Sequence, residues 1–342
     1  MSNTISAYMD SRKNNLDIIR FIAASLVIFS HAFPIVYGKG NEDPLAILLH
    51  GQTTIGGIAV GAFFIISGFL ICQSFQRSKS LKDYILARSL RIFPALIGCF
   101  IFMIFIMGPM VTELSVIDYF KNIQTYKFFI GATTLNFLAP TLPGVFLNNP
   151  YPLYINGSLW TLKFELGCYI LIAILGLMLL LKKHLTLAFA LICVGLSYLK
   201  VNDNLHNLFV LISYFMMGAT FYLYRESIKL EKKIFFISIF FLIFLTYFNL
   251  YYVGFSIFGT YIIIYLSYIS GTFKNFAKYG DFSYGIYIYA FPIQQSLVYF
   301  TKNSLNVYWH SLISLVIVII FAFLSWNLIE KPSMRLKKKL SS

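Results

Sequence analysis

Long runs of apolar residues recur along this chain and constrain its fold more than any other feature. A helix needs about 20 apolar residues to cross the hydrocarbon core of a bilayer, and these runs are continuous rather than alternating as in a membrane barrel. The sequence therefore predicts an all-α integral membrane protein with about ten transmembrane helices in one domain, residues 1–342. The ten predicted spans are residues 16–37, 55–75, 92–111, 164–181, 184–199, 205–224, 234–250, 253–270, 282–300 and 309–329.

Composition supports the same class. Hydrophobic residues make up 58% of the chain and charged residues 12%, whereas about 25% of residues in a typical soluble domain are charged. The four cysteines all lie in apolar runs and are expected to be small buried side chains rather than disulfides. A short apolar stretch at residues 126–140, inside the long loop 112–163, is expected to be interfacial or re-entrant.

The loop charges predict the orientation of the chain. With sides alternating at each predicted span, 20 of the 27 Lys and Arg residues fall on one side, six fall on the other, and Arg20 lies within the first span. Because cytoplasmic loops carry the excess of Lys and Arg, both termini are expected in the cytoplasm and the protein in the cytoplasmic (inner) membrane. The same rule explains the net charge of +14 without a nucleic-acid partner. We expect an uncleaved first span and no fused periplasmic domain.

Two ionisable residues lie within the first span, "LDIIRFIAASLVIFSHAF". Arg20 and His31 are eleven residues apart, so they project from one helix face, separated by roughly 16 Å along the axis. Such groups are costly in hydrocarbon unless they face a cavity or a partner. Two simpler interpretations stay open: Arg20 reaches the interface, or His31 makes an interhelical hydrogen bond. Asp17 is a possible partner for Arg20 on the same face.

Three further segments carry candidate residues. Arg88 and Arg91, in "RSLRIFPAL" before the third predicted span, share a helix face and either bind an anion or are ordinary cytoplasmic charges. Ser67, in a glycine-rich second span, is expected to pack or to line a pocket. Glu165 begins the fourth predicted span and is either functional, a solvated cap, or a partner of Lys163.

The remaining histidines, at positions 50, 184, 206 and 310, lie near loops or helix ends and are expected to be solvated. No His, Cys, Asp or Glu spacing is typical of a metal site, so no metal is expected.

Residues 12–335 resemble acyltransferase family 3, the integral-membrane acyltransferases that O-acetylate surface polysaccharides. The most specific similarity is the first span, in which ten residues lie between Arg20 and His31. The other matching segments follow in order: "FFIISGFLI", "RSLRIFPAL", "SLWTLKFELGCY", "GDFSYGIYIYAFPIQQ" and "LIEKPSMR". One position departs from the pattern, because many members have a histidine where this chain has Ala290.

The resemblance implies a role for each candidate. His31 is the expected catalytic histidine, with Glu165 assisting it or lying near the acceptor. Arg20, Arg88 and Arg91 are expected to bind the acyl-CoA donor or to hold the helices that do, and Ser67 is expected to line that site.

The expected activity is O-acetyl transfer from acetyl-CoA to a sugar hydroxyl of a lipid-linked or cell-surface polysaccharide, within membrane lipids. His31 acts as general base or as transient acyl carrier. Tyr151, Tyr154 or Trp160 are candidates for stacking on sugar rings. Two alternatives remain. One is a small-molecule acceptor or a longer acyl group, and the other is a glycan or lipid transporter that uses the intramembrane charges as a pathway.

Overall fold

A computed structural model describes residues 3–9, 14–133, 141–199, 202–269, 273 and 276–340. Over these residues the secondary structure is helical, and the only β-type pairings are two isolated bridges. The all-α prediction is therefore confirmed for the described residues.

Helices lie at all ten predicted positions. In chain order they are α1 (Leu16–Tyr37), α2 (Ile55–Arg77), α3 (Leu81–Val111), α4 (Gly157–Leu177), α5 (Lys183–Ser197), α6 (Asp203–Leu223), α7 (Lys232–Tyr247), α8 (Tyr251–Tyr268), α9 (Ser283–Thr301) and α10 (Val307–Leu336).

Within the described part of the chain, seven helices are long and apolar enough to cross a membrane: α1, α2, α3, α4, α6, α8 and α10. Helices α5 and α7 have 15 and 16 residues, and α9 carries more polar side chains. The structure thus supports a multi-pass membrane protein, whereas the count of ten spans and the cytoplasmic termini stay predictions.

Apolarity alone misplaced the start of α3. The predicted span began at residue 92, but the helix begins at Leu81, where the Ser80 hydroxyl accepts a hydrogen bond from the backbone N–H of Asp83 at 3.1 Å. A serine cap starts a helix regardless of the polarity of its first turns. Arg88 and Arg91 therefore lie within α3 rather than before it.

Helix α2 is central because small residues let its neighbours approach. It packs against α1, α4 and α6. A Cβ atom at Gly68 would overlap the backbone carbonyl of Phe215 in α6, and one at Gly61 would lie 2.6 Å from the ring of Phe255 in α8. The glycines of this span therefore mark close helix packing.

Several smaller expectations are also decided. All four cysteines are buried and free. His310, expected to be solvated, is instead 1% exposed, because its Nε2 lies 3.0 Å from the backbone carbonyl of Gln294 between α9 and α10. Ala290 is fully buried.

Part of the predicted interfacial stretch 126–140 is the helix Ile123–Thr133, and residues 134–140 lie outside the described residues. Four of the counted charges also lie outside them: Arg12, Lys13, Lys200 and Lys274.

Candidate functional site

Three cavities follow one face of α2. The first, the His31 cavity, has a volume of about 690 Å³ and includes Gly56 and Val60 of this helix. The second, the Arg20 cavity, holds about 50 Å³ and includes Val60 and Ser67. The third, the Arg77 cavity, holds about 530 Å³ and lies at the C-terminal end of α2. Val60 lines both the first and the second cavity. Gly56, Val60 and Ser67 are spaced by about whole helical turns and therefore share one face, so the cavities lie in order along the helix.

His31 lies on the wall of the first cavity. Its Nδ1 is 3.4 Å from the Ser158 hydroxyl, and its ring meets Phe291 edge-on at 5.6 Å. Ser158 is itself held, because its backbone N–H donates to the Asn156 side chain, which donates to the carbonyl of Ile288 at 2.8 Å. Among the described residues, a hydrogen-bond partner is found for Nδ1 of the imidazole and not for Nε2. The interhelical hydrogen bond and the polar cavity, posed as alternatives for His31, therefore both apply.

The rest of the His31 cavity wall is rich in aromatic and hydrogen-bonding side chains. Trp160 and Tyr151 line it, and Tyr154 packs on the Tyr151 ring at 5.2 Å. The other lining side chains include Lys39, Asn41, Glu42, Gln52, Thr53, Asp203, His206, Asn207, Tyr214 and Tyr252.

Arg20 lines the second cavity and belongs to a buried ion cluster. Its Nη1 and the Nη2 of Arg91 both contact Asp281 Oδ2 at 2.5 Å, and Arg91 Nη1 contacts Glu330 Oε2 at 2.8 Å. The ion partner of Arg20 is therefore Asp281 and not Asp17. These two cations and two carboxylates join α1, α3, α10 and the segment before α9, and Asp17 of α1 lies near enough to interact electrostatically with Arg20 and Arg91.

The environment of Asp281 keeps it ionised. Burial alone would raise its pKa, but Arg20, Arg91 and the hydrogen bonds from Ser283 hold the pKa well below its usual value. The Ser283 hydroxyl donates to Asp281 Oδ1 at 2.5 Å. The carboxylate thus presents one oxygen to two arginines and the other to a serine.

Glu165 faces the Arg20 cavity. Its Oε1 accepts hydrogen bonds from the Ser67 hydroxyl at 3.2 Å and from the Tyr169 hydroxyl at 2.5 Å. Lys163 lies instead over the ring of Phe164. The structure therefore brings Arg20, Ser67 and Glu165 to one cavity, and Glu165 is neither a solvated cap nor a partner of Lys163.

A hydrogen-bonded pair connects the first two cavities. The Tyr287 hydroxyl donates to the backbone carbonyl of Ser158, so the Thr161 hydroxyl donates to Tyr287 across 2.5 Å. Thr161 and Tyr287 both line the Arg20 cavity, whereas Ser158 contacts His31.

Arg88 and Arg91 point to different places although they are three residues apart. Arg91 binds the two carboxylates of the ion cluster, while Arg88 lines the Arg77 cavity together with Arg77, Lys79 and Asp83. Among the described residues the buried Nε of Arg88 has no hydrogen-bond partner. The structure therefore does not bring these two arginines to one anion.

Sequence reasoning missed Asp281, Glu330 and Ser158. Each lies in a segment that carried the family resemblance, namely "GDFSYGIYIYAFPIQQ", "LIEKPSMR" and "SLWTLKFELGCY". Their partners are distant in sequence: Asp281 meets Arg20 across 261 positions and Ser158 meets His31 across 127. No local spacing predicts such contacts.

Comparisons with known proteins agree with the resemblance. A family model described as "Acyltransferase domain" matches residues 13–327. An O-acetyl transferase of Shigella phage Sf6 is 32% identical over 338 residues, which covers 94% of this chain and 96% of the relative. Nodulation protein 10 of Rhizobium leguminosarum bv. viciae is 28% identical over 363 residues, 97% of this chain and 96% of the relative. No solved structure gives a significant match.

Proposed function

Because this chain belongs to acyltransferase family 3 and is an O-acetyltransferase, we propose that it transfers acetyl from acetyl-CoA to a sugar hydroxyl at His31. The acceptor is a lipid-linked or cell-surface polysaccharide, and the protein works in the cytoplasmic membrane. The observation that carries this proposal is the row of three cavities along α2, with a basic cavity at one end and His31 at the other.

The Arg77 cavity suits the donor's phosphates. Arg77, Lys79 and Arg88 supply three cations against one carboxylate, Asp83, and guanidinium groups bind phosphate oxygens through paired N–H donors. With the basic end of α2 in the cytoplasm, as the loop charges predict, acetyl-CoA enters from the side where it is made.

The Arg20 cavity suits the donor's arm. Its volume of about 50 Å³ admits a thin chain but no sugar ring. Glu165 and Ser67 offer hydrogen-bonding groups to the amides of the arm, so we assign Glu165 to the donor rather than to the acceptor. Arg20 also lines this cavity and, through Asp281, ties α1 to the ion cluster.

The His31 cavity suits the acceptor. Its volume of about 690 Å³ is in the range of ligand sites. Trp160 and Tyr151 supply aromatic rings in its wall on which a sugar can stack, and the surrounding polar side chains can hydrogen-bond sugar hydroxyls.

His31 then performs the transfer. Ser158 holds Nδ1, which leaves Nε2 to accept the proton of the sugar hydroxyl as general base. The sugar oxygen attacks the thioester carbonyl, a C–O bond forms, the C–S bond breaks, and the histidine returns its proton to the CoA thiolate. In the second route Nε2 attacks the thioester carbonyl first, the C–S bond breaks, and CoA leaves as the thiolate. The sugar oxygen then attacks the acetyl-histidine, the C–N bond breaks, and the hydroxyl proton passes to the thiolate.

The test is acetylation of the cell-surface glycan, measured by mass analysis and NMR with and without the gene. We expect the glycan to lack the acetyl group in cells with the His31→Ala variant. It should keep the acetyl group in cells with His184→Ala, which alters an exposed histidine bonded to Tyr224. A well-expressed His31→Ala variant that still acetylates the glycan would refute the assignment.

Dependence on acetyl-CoA separates this enzyme from a transporter. Membranes that contain the wild-type protein are expected to release CoA from acetyl-CoA over many turnovers only when the acceptor is present. Glycan export that continues unchanged without acetyl-CoA, with no CoA released, would instead favour transport.

A further inference from the structure

Asp43 is a fully buried carboxylate, 0% exposed, in the loop between α1 and α2. Its Oδ2 accepts hydrogen bonds from the Ser30 hydroxyl at 2.5 Å and from the backbone N–H of Ile55 at 2.9 Å. Its Oδ1 accepts from the backbone N–H groups of Leu45 and Ala46 at 3.1 and 3.3 Å. Among the described residues no cation pairs with Asp43, so these four donors offset the cost of burying its charge.

The four donors belong to three segments. Leu45 and Ala46 open the short helix Pro44–Leu48, and Ile55 is the first residue of α2. Ser30 lies in α1, directly before His31. Asp43 therefore joins the helix that carries His31 to the start of the helix that lines all three cavities.

The turn of α1 that holds His31 needs an external tie. Pro34 lies inside α1, and because proline has no N–H, the carbonyl of Ser30 loses its usual helical donor. The backbone is thus weakened between residues 30 and 34, which is the turn that must keep the imidazole fixed.

Two adjacent side chains tie this turn on two sides. Ser30 binds Asp43, and His31 binds Ser158. The packing here is close, since a Cβ atom at Gly56 would lie 2.8 Å from the Ser30 hydroxyl. Both Ser30 and Asp43 also border the His31 cavity.

We propose that Asp43 is a positioning residue for acetyl transfer, acting through the Ser30 hydroxyl to hold the Pro34-weakened turn so that His31 faces its cavity. This inference rests on the proposed function of His31. It assigns Asp43 no contact with the reacting atoms.

The decisive variant is Ser30→Ala, because it removes one hydrogen bond and leaves the three backbone bonds of Asp43 intact. Ser30→Thr keeps a hydroxyl and is the rescue variant. Ser25→Ala is the matched control, since Ser25 lies on the same helix and its hydroxyl donates to the backbone carbonyl of Phe21, within that helix. Asp43→Asn is measured beside them.

Full-length variants are assayed in membranes of cells that carry their natural surface glycan, with radiolabelled acetyl-CoA. Because misplacement by about 1 Å costs on the order of a hundredfold in rate, we expect kcat to fall about tenfold or more in Ser30→Ala. The KM for acetyl-CoA should change by less than about twofold, since the donor's phosphates bind at the far end of α2. Ser30→Thr should recover most of the rate, and Ser25→Ala should match wild type. Hydrogen–deuterium exchange in detergent should rise in the α1 peptide around Pro34 for Ser30→Ala and Asp43→Asn.

A Ser30→Ala variant with wild-type kcat and unchanged exchange would overturn the proposal. A fall in the amount of folded protein that accounts for all the lost activity would also overturn it, because the role would then be structural only. If the wild-type protein transfers no acetyl group, the proposed function fails and this inference fails with it. Normal wild-type transfer with an unaffected Ser30→Ala variant refutes the positioning role alone.

Discussion

Replacing Asp281 by asparagine should strongly destabilise the protein, because it removes the shared acceptor of the ion cluster. Asp281 is the shared acceptor of Arg20 and Arg91, and it also accepts the Ser283 hydroxyl. In Asp281→Asn, Arg91 keeps Glu330 but Arg20 loses the carboxylate that it contacts, so a mostly buried guanidinium is left without its ion-pair partner.

The size of the effect follows from that geometry. Removing one partner of a buried ion pair costs about 3–5 kcal/mol. At about 2 °C of melting temperature for each kcal/mol in a chain of this size, the expected loss is about 6–10 °C.

The four buried free cysteines provide the assay. A dye that fluoresces on reaction with thiols reports unfolding in detergent, because these thiols become accessible only when the helices separate. The matched control is Glu226→Gln, which removes the partner of Arg225 in a pair 3.7 Å apart whose carboxylate is 70% exposed. An exposed pair of this kind contributes about 0.2–1 kcal/mol, so its melting temperature should stay within about 2 °C of wild type.

A second variant tests the charge argument directly. Asp281→Asn combined with Arg20→Gln removes one charge of each sign from the same ion pair, so the double variant should be more stable than the sum of the two single losses predicts. The reasoning is refuted if Asp281→Asn has the same melting temperature as Glu226→Gln, or if the stability losses of the two single variants simply add in the double variant.

Three further predictions follow from individual contacts. Because the folded-state pKa of Asp281 is lowered, its stabilisation is present above the unfolded pKa of about 3.9 and is lost as pH falls through the folded value. The difference in melting temperature between wild type and Asp281→Asn should therefore shrink in acid. Gly68→Ala should abolish accumulation of folded protein, because its Cβ would overlap a backbone carbonyl of α6. Gly195→Ala has nothing within 4 Å of its new Cβ and should stabilise the chain by up to about 1 kcal/mol. The yield of detergent-soluble protein and the melting temperature check both variants. Arg88→Gln should raise the KM for acetyl-CoA by about tenfold or more, because losing a charge-assisted contact costs about 1.5–3 kcal/mol. Lys82→Gln, which removes an exposed charge on the same helix, should leave the KM unchanged. Equal KM values for the two variants would remove Arg88 from the donor site.

The helices were predictable because their cause is local. A continuous apolar run must be buried or face lipid, and its length limits what it can form, so each of the ten runs is a helix in the structure. Helix ends were less predictable, since polar turns such as Lys82–Arg91 continue a helix once Ser80 has capped it. In the part of the chain that the structure describes, seven helices meet the length and apolarity of a span. Which of the shorter helices cross the bilayer depends on their neighbours, which no single apolar run describes.

Some residues of the candidate site were likewise predictable from the sequence, and others were not. Arg20, His31 and Glu165 stood out by sequence alone, because an ionisable residue in an apolar helix is costly and needs a reason to be there. Their partners did not, since Asp281, Ser158 and Ser67 reach them from other helices. Helical spacing also does not reveal that Arg91 binds two carboxylates while Arg88 lines the Arg77 cavity. The sequence by itself determined the all-helical membrane class, the family and the costly residues, because apolarity and motif order are properties of short segments. Only the tertiary structure decided which charges neutralise one another and which side chains share a cavity, because those contacts join distant helices: Ser67 and Glu165 are 98 positions apart, His31 and Ser158 are 127 apart, and Arg20 and Asp281 are 261 apart.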